Sequence, residues 1–208
     1  MLIIDTETTG LYGYPRDRVL EIGIAEYENG KISPVYSEVI RYGDVREFDS
    51  AYVNPNGTRG IWIYRHSDLS MDDTLNAEKD LDTAAAEVRR IVSGRRITSY
   101  NVPFDLGRFL YWEPWNLEDT AETDADVMDL ATARIYEMAE SDSIGDKELR
   151  RRLLKERAES RHPNKWIRLE DAYRVLCPDD PLELDRQTHR ALDDAMAAAW
   201  VLKRMSEE

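Results

Sequence analysis

The sequence predicts an α/β domain: a mixed, five-stranded sheet with an antiparallel meander, flanked by helices. Three observations carry that expectation. Apolar, β-rich runs at 2–4, 18–27 and 31–41 are separated by turns, one of them the hairpin pair Asn29-Gly30. A helical pattern at 80–93 leads directly into another strand-like run, Arg96–Tyr100. The remaining half of the chain is dominated by helical periodicity. With 208 residues and 42% hydrophobic content, positions 1–208 read as one domain around one sizeable core.

Leu2-Ile3-Ile4 is too short to cross a membrane and reads as a buried strand. It runs into Asp5 and Glu7, which at i, i+2 share one face of a strand with Cα atoms roughly 6–7 Å apart. Two anions so placed repel each other and resist desolvation. A hard divalent cation such as Mg²⁺ or Mn²⁺ between them removes both costs. A strand end with solvated acids ahead of a glycine turn accounts for the same residues without a ligand. Thr8, Thr9 and Gly10 turn the chain and offer hydroxyls and open backbone amides to a ligand. After a turn containing Gly13 and Pro15, Arg18–Tyr27 and Lys31–Arg41 form the second and third strands. Pro34 places the third strand at an edge or in a bulge.

Residues 42–79 are rich in Gly, Asn and Pro, and the apolar run Ile61-Trp62-Ile63-Tyr64 fits no element. His66 reads as a surface or packing residue. Leu81, Ala84, Ala85, Val88, Ile91 and Val92 make the core stripe of an amphipathic helix that Gly94 ends. Arg96–Tyr100, reached from a helix, can lie parallel to an earlier strand. It runs into Asn101-Val102-Pro103-Phe104-Asp105. Pro103 suits a first helical turn, with Leu106–Trp112 helical behind it. Asp105 then sits near a helix N-terminus, which stabilises a carboxylate by itself. Alternatively it is a third metal ligand, delivered to the same sheet edge as Asp5. Asn101 braces this loop.

Asp126–Leu130 is a short strand or a helix start, continuing as a helix to about Met138. Asp146–Ser160 is helical and holds the densest basic cluster, Arg150, Arg151, Arg152 and Lys155. A solvated face with i, i+4 pairs, such as Glu148 with Arg152, explains it more simply than phosphate contact. Trp166–Leu176 is an amphipathic helix. Thr188–Ala195 leads into an Ala-rich helix ending near Met205. Such a helix is largely buried, so Asp194 is costly there without a partner. Were His189 in the helix, Asp194 at i+5 would point about 140° away from it. Either Asp193 at i+4 is its partner, or His189 lies on the preceding loop; local geometry leaves both open.

A net charge of −14 argues against a general nucleic-acid or membrane coat, but not against an enzyme that grips a few phosphates through metal ions. Of the 28 basic residues 22 are Arg, and an acidic, Lys-poor chain suits a salty cytoplasm. A single cysteine, Cys177, excludes an internal disulfide, and no leader precedes Asp5; a cytoplasmic location is the expectation.

Taken together, Asp5-x-Glu7, Asn101-x-x-Phe104-Asp105 and His189-x-x-x-x-Asp194 resemble the three motifs of the DEDDh 3′–5′ exonucleases, a family with an RNase H-like fold. They occur in the family's order and span nearly the whole chain. Tyr100 stands where a His commonly precedes the Asn, and His66-Ser67 only loosely follows the family's His-Gly-Ile-Thr stretch. The resemblance implies a hydrolase that releases nucleoside 5′-monophosphates from 3′ ends of DNA or RNA. It implies two Mg²⁺ or Mn²⁺ ions about 3.5–4 Å apart around the scissile phosphate. Asp5 would bridge both ions, Glu7 and Asp194 would hold the one carrying the attacking water, and Asp105 the other. His189, on a mobile loop, would take the water's proton as general base. That assignment selects Asp194 over Asp193. Thr8, Thr9, Gly10 and Leu11, with Asn101 and Phe104, would contact the terminal nucleotide. The implied partner is a single-stranded or frayed 3′ end and no membrane; the family's proofreading and DNA-repair roles admit a polymerase as protein partner. Bound cations reverse the local field, which lets an acidic protein cleave a polyanion. Two alternatives share these residues: a catalytically silent nucleic-acid or partner-binding module on the same fold, and a metal phosphoesterase for small phosphates.

Overall fold

The computed structural model describes residues 1–160, 165–179 and 190–207. The chain opens with β1 (Leu2–Thr8), whose first three residues are wholly buried. β2 (Val19–Glu28) returns antiparallel beside it, and β3 (Lys31–Arg41) lies antiparallel to β2. Their connection holds Asn29 and Gly30 at φ of 51° and 78°, the left-handed pair that a two-residue hairpin needs. The ladder pairs Ile24 with Tyr36 but Ala25 with Pro34, so the strand bulges at Val35 beside the proline. A residue without an N–H is tolerated there.

Three short helices follow: α1 (Val45–Ala51), α2 (Ile63–His66) and α3 (Met71–Asn76), the last opened by a reciprocal Ser70–Asp73 capping box. Leu20, Val45, Tyr52, Ile61, Ile63 and Leu69 make a separate apolar cluster beneath them. The run Ile61–Tyr64 is therefore the entrance to α2. Ile61 and Ile63 are buried and Trp62 is turned outward.

β4 (Lys79–Asp80) adds parallel to β3, and Asp80 caps α4 (Leu81–Val92) by accepting from the Thr83 amide. β5 (Arg96–Thr98) lies parallel to β1. One turn, α5 (Val102–Phe104), then widens into a π-helical segment, Asp105–Leu110, in which the Tyr111 amide donates to the Leu106 carbonyl. β6 (Glu122–Thr123) adds parallel to β5. The last helices are α6 (Val127–Glu140), α7 (Lys147–Glu159), α8 (Leu169–Leu176) and α9 (Ala191–Ser206). Among the described residues no helix is long and apolar enough to cross a membrane.

The sheet order is β4-β3-β2-β1-β5-β6, so it has six strands rather than five. β4 and β6 are two residues each, too short to leave a pattern in the sequence. Asp126–Leu130 is a helix start and not a strand, because the Asp126 carboxylate accepts the Met128 and Asp129 amides as a cap. The predicted Glu148–Arg152 pair is not the one formed. Arg152 binds Glu156 and the buried Asp171, Arg150 binds Asp142, and Lys155 binds Glu159. These three basic side chains serve the α6–α8 layer.

Helices cover both faces of the sheet. Leu2 and Ile4 pack with α4 and the π-helical segment, whereas Ile3 and Ala25 pack with α6, α8 and α9. Burial on both sides makes β1 a continuous apolar run. The strand's period of two then directs Asp5 and Glu7 to the α9 side and Thr6 to the other.

Candidate active site

Asp5 and Glu7 leave β1 on the face covered by α9, and Asp194 reaches them from the first turn of that helix. One carboxylate oxygen from each of the three lies within 4.8 Å of the others. The close approach of helix to strand depends on Gly23, the β2 residue opposite Asp5. A Cβ there would stand 2.2 Å from the Leu192 nitrogen and 2.3 Å from the Ala191 carbonyl carbon. Opposite Glu7 is Glu21, whose side chain is 1% exposed. Arg190 donates to both of its oxygens from Nε (2.9 and 3.0 Å) and to Oε1 from Nη2 (2.6 Å). The Ala191 amide adds a bond of 3.2 Å to Oε2. Glu21 thus fixes the point at which α9 begins.

Asp105 stands outside this three-acid cluster. It is buried (3% exposed), and its Oδ1 accepts from the Thr6 amide at 3.2 Å and the Thr6 hydroxyl at 2.7 Å. Thr6 projects from the opposite side of β1, so Asp105 flanks the strand end from the other face. Asn101 accepts from the Phe104 amide through Oδ1 (3.2 Å) and caps α5. Its side chain braces the loop.

Burial dominates the protonation of all four acids. It raises Asp105 to about 7, against opposing hydrogen bonds from Thr6 and Ser99. Asp194 is also raised to about 7, by burial and then by Asp193 and Glu21. Asp5 and Glu7 are raised well above their ordinary values, again by burial first. For Asp5 the neighbouring charges of Asp105, Asp194, Glu7 and Glu21 add to it; for Glu7 Arg190 opposes the rise. Clustered, enclosed carboxylates that resist ionisation are compensated by a hard divalent cation, so the donor set fits such an ion.

Beside the acids a cleft of about 460 Å³ is lined by Thr6 to Leu11, Asn54 to Asn56, Trp62, Ile63 and Phe104. Leu11 is 58% exposed at its mouth. Phe104 is held edge-on against Phe109, with ring centroids 5.3 Å apart. Thr8 donates to the Gly10 carbonyl (2.9 Å). The Thr9 hydroxyl is buried and accepts from the Arg18 amide (3.0 Å), so it serves the turn. Gly10 is required by close approach, since a Cβ would fall 1.6 Å from the Tyr52 hydroxyl.

Three contributors escaped the sequence reading. Asp17 organises the turn, accepting the Tyr12 and Gly13 amides at 2.5 and 3.1 Å and the Tyr52 hydroxyl at 2.6 Å. The Glu21–Arg190 pair left one signal, an acid within the buried, apolar first part of β2. Trp62 left another, an aromatic between two isoleucines. Of the predicted residues, Asp5, Glu7 and Asp194 converge, Asp105 flanks them, and Thr8 to Leu11 and Phe104 line the cleft. Asp193 is exposed, one residue from the cluster. α9 begins at Ala191, after position 189; His189 itself lies outside the described residues.

The chain is similar to known proteins in sequence and in fold. The family described as Exonuclease matches residues 2–202. The 3′-5′ exonuclease DinG of Bacillus subtilis (strain 168) is 27% identical over 110 residues, 53% of this chain. The matched segment spans 10% of that relative's length. Exonuclease X in complex with 5′ overhanging duplex DNA superimposes with a TM-score of 0.54 at 18% identity, covering 99% of this chain and 90% of that one. The zinc-bound E. coli exonuclease I complex with single-stranded DNA gives 0.61 at 17% identity, covering 99% and 40%. These two share the RNase H-like fold with this chain. With motifs, fold and family match in agreement, the chain belongs to the DEDDh 3′–5′ exonuclease family.

Proposed function

We propose that this protein is a metal-dependent 3′–5′ exonuclease that releases nucleoside 5′-monophosphates from single-stranded or frayed 3′ ends, acting as a single catalytic domain. The observation that carries the proposal is the convergence of Asp5, Glu7 and Asp194 within 4.8 Å, beside an apolar cleft that Glu7 also lines. Asp5, Glu7, Asp194 and Asp105 would hold two Mg²⁺ or Mn²⁺ ions. When bound, such ions supply Lewis-acid activation of water and of the phosphate and offset charge on the departing oxygen. The protein's own part is positional. Thr6 orients Asp105 through two hydrogen bonds. Glu21 and Arg190 hold the α9 turn that carries Asp194. The apolar side of the cleft, Leu11 and Phe104, receives the terminal base, and the backbone of the Thr8–Gly10 turn contacts the sugar. His189, by its place in the motif, accepts the proton of the attacking water.

The test is stepwise shortening of matched 5′-labelled DNA and RNA oligonucleotides, with release of unlabelled mononucleotides from the 3′ end. Activity is expected with Mg²⁺ or Mn²⁺ and absent in EDTA or in Asp5→Asn. Undiminished activity of Asp5→Asn sinks the reading. The DNA and RNA lanes, run side by side, identify the natural substrate.

A further inference from the structure

Trp62 is 44% exposed, yet its ring is held in place by its neighbours. Ile61 and Ile63 on either side are buried anchors in the cluster under the short helices. The indole lies flat against the His66 ring, with centroids 4.1 Å apart and planes within 3°. His66 Nδ1 bonds back to the Trp62 carbonyl at 2.8 Å. The neighbouring loop is braced as well, Asn54 Nδ2 donating to the carbonyls of Thr58 (3.0 Å) and Gly60 (2.7 Å). Trp62 lines the same cleft as Glu7, Leu11 and Phe104.

A pre-set aromatic surface that shares a wall with clustered carboxylates matches the chemistry of single-strand binding. Bases stack on aromatic rings whatever their sequence, because each presents a π-face. A base stacked between neighbours inside a duplex does not offer that face. We infer that Trp62 is the stacking platform for an unpaired base of the substrate strand near the scissile phosphate, and so a determinant of preference for single-stranded ends. The inference rests on the exonuclease reading and adds a residue that the family motifs do not contain.

The experiment measures kcat/KM on an unstructured single-stranded oligonucleotide for wild type, Trp62→Ala, Trp62→Leu and Trp62→Phe. Leu keeps apolar bulk without a ring face and guards against a folding defect in the Ala variant. Trp62→Ala and Trp62→Leu are expected to lose about 5- to 150-fold, the range for one base–aromatic stack, and Trp62→Phe much less. An abasic residue is then walked one position at a time from the 3′ end. At one position it should depress wild type by a similar factor and leave Trp62→Leu unaffected, since the partner is already gone. Wild-type rates in the Ala and Leu variants, or losses that multiply at every abasic position, overturn the role of Trp62. A wild-type protein that releases no nucleotide overturns the exonuclease reading instead.

Discussion

Arg190 grips the buried carboxylate of Glu21 with two nitrogens, and the same carboxylate accepts the Ala191 amide. The pair joins β2 to the first turn of α9, beside the register partner Glu7. Arg190 thereby balances the charge of Glu21 beside the three-acid cluster of Asp5, Glu7 and Asp194.

Arg190→Ala should therefore be more damaging than Glu21→Gln, because it leaves Glu21 buried and unpaired. Loss of one partner of a buried pair costs roughly 3–5 kcal/mol. The low end is expected here, since the Arg190 side chain is 34% exposed and partly screened. Denaturant unfolding of both single variants and the double variant checks this, the double recovering part of the loss. An Arg190→Ala protein as stable as wild type would refute the clamp.

Stability should depend on pH in a direction set by the buried acids. Asp105 and Asp194 are raised to about 7 from an ordinary 3.8. Between those values the folded, metal-free protein holds protons that the unfolded chain has released. Their contribution is full at acid pH and is lost as pH rises through about 7. In EDTA the melting temperature should fall from about pH 5 to about pH 8. Mg²⁺ or Mn²⁺ should raise it more at the higher pH, because cations bind the deprotonated acids. Asp5→Asn should flatten the EDTA profile. A melting temperature that climbs with pH in EDTA contradicts this account.

The adjacent acids on α9 should behave differently. Asp194 joins Asp5 and Glu7, while Asp193 is exposed. Asp194→Asn is expected to abolish turnover nearly completely, and Asp193→Asn to keep most of it. Single-turnover rates decide, and the reverse ranking means the motif is offset by one residue.

His189→Ala should lose roughly 10²–10⁴-fold in rate, the usual contribution of a general base. Metal-induced thermal stabilisation should persist, since His189 is not among the proposed ligands. The base must be neutral to act, so the wild-type rate falls as pH drops through its pKa. At saturating Mg²⁺, which holds the carboxylates deprotonated, that acidic limb should vanish in the variant; an unchanged pH–rate profile then excludes His189 as the base.

Much of the fold was legible because its signals are local. Asn29-Gly30 can adopt the left-handed hairpin pair, and the Leu81–Val92 stripe repeats at the helical period. Asp5 and Glu7 were readable as a pair because strand periodicity alone puts them on one face. β4 and β6 were not, since two-residue strands exist only through the neighbours they pair with.

The acid on α9 belongs to a different level. Counting along the sequence leaves Asp193 and Asp194 equivalent until the start of the helix is known. That start is set by Glu21, 169 positions away from Arg190, and by the missing side chain of Gly23. The direction of Trp62 is likewise decided by where Ile61 and Ile63 find a core. Residue type and spacing specified the chemistry; which atoms meet followed from burial and close approach between segments far apart in the chain, which no local pattern encodes.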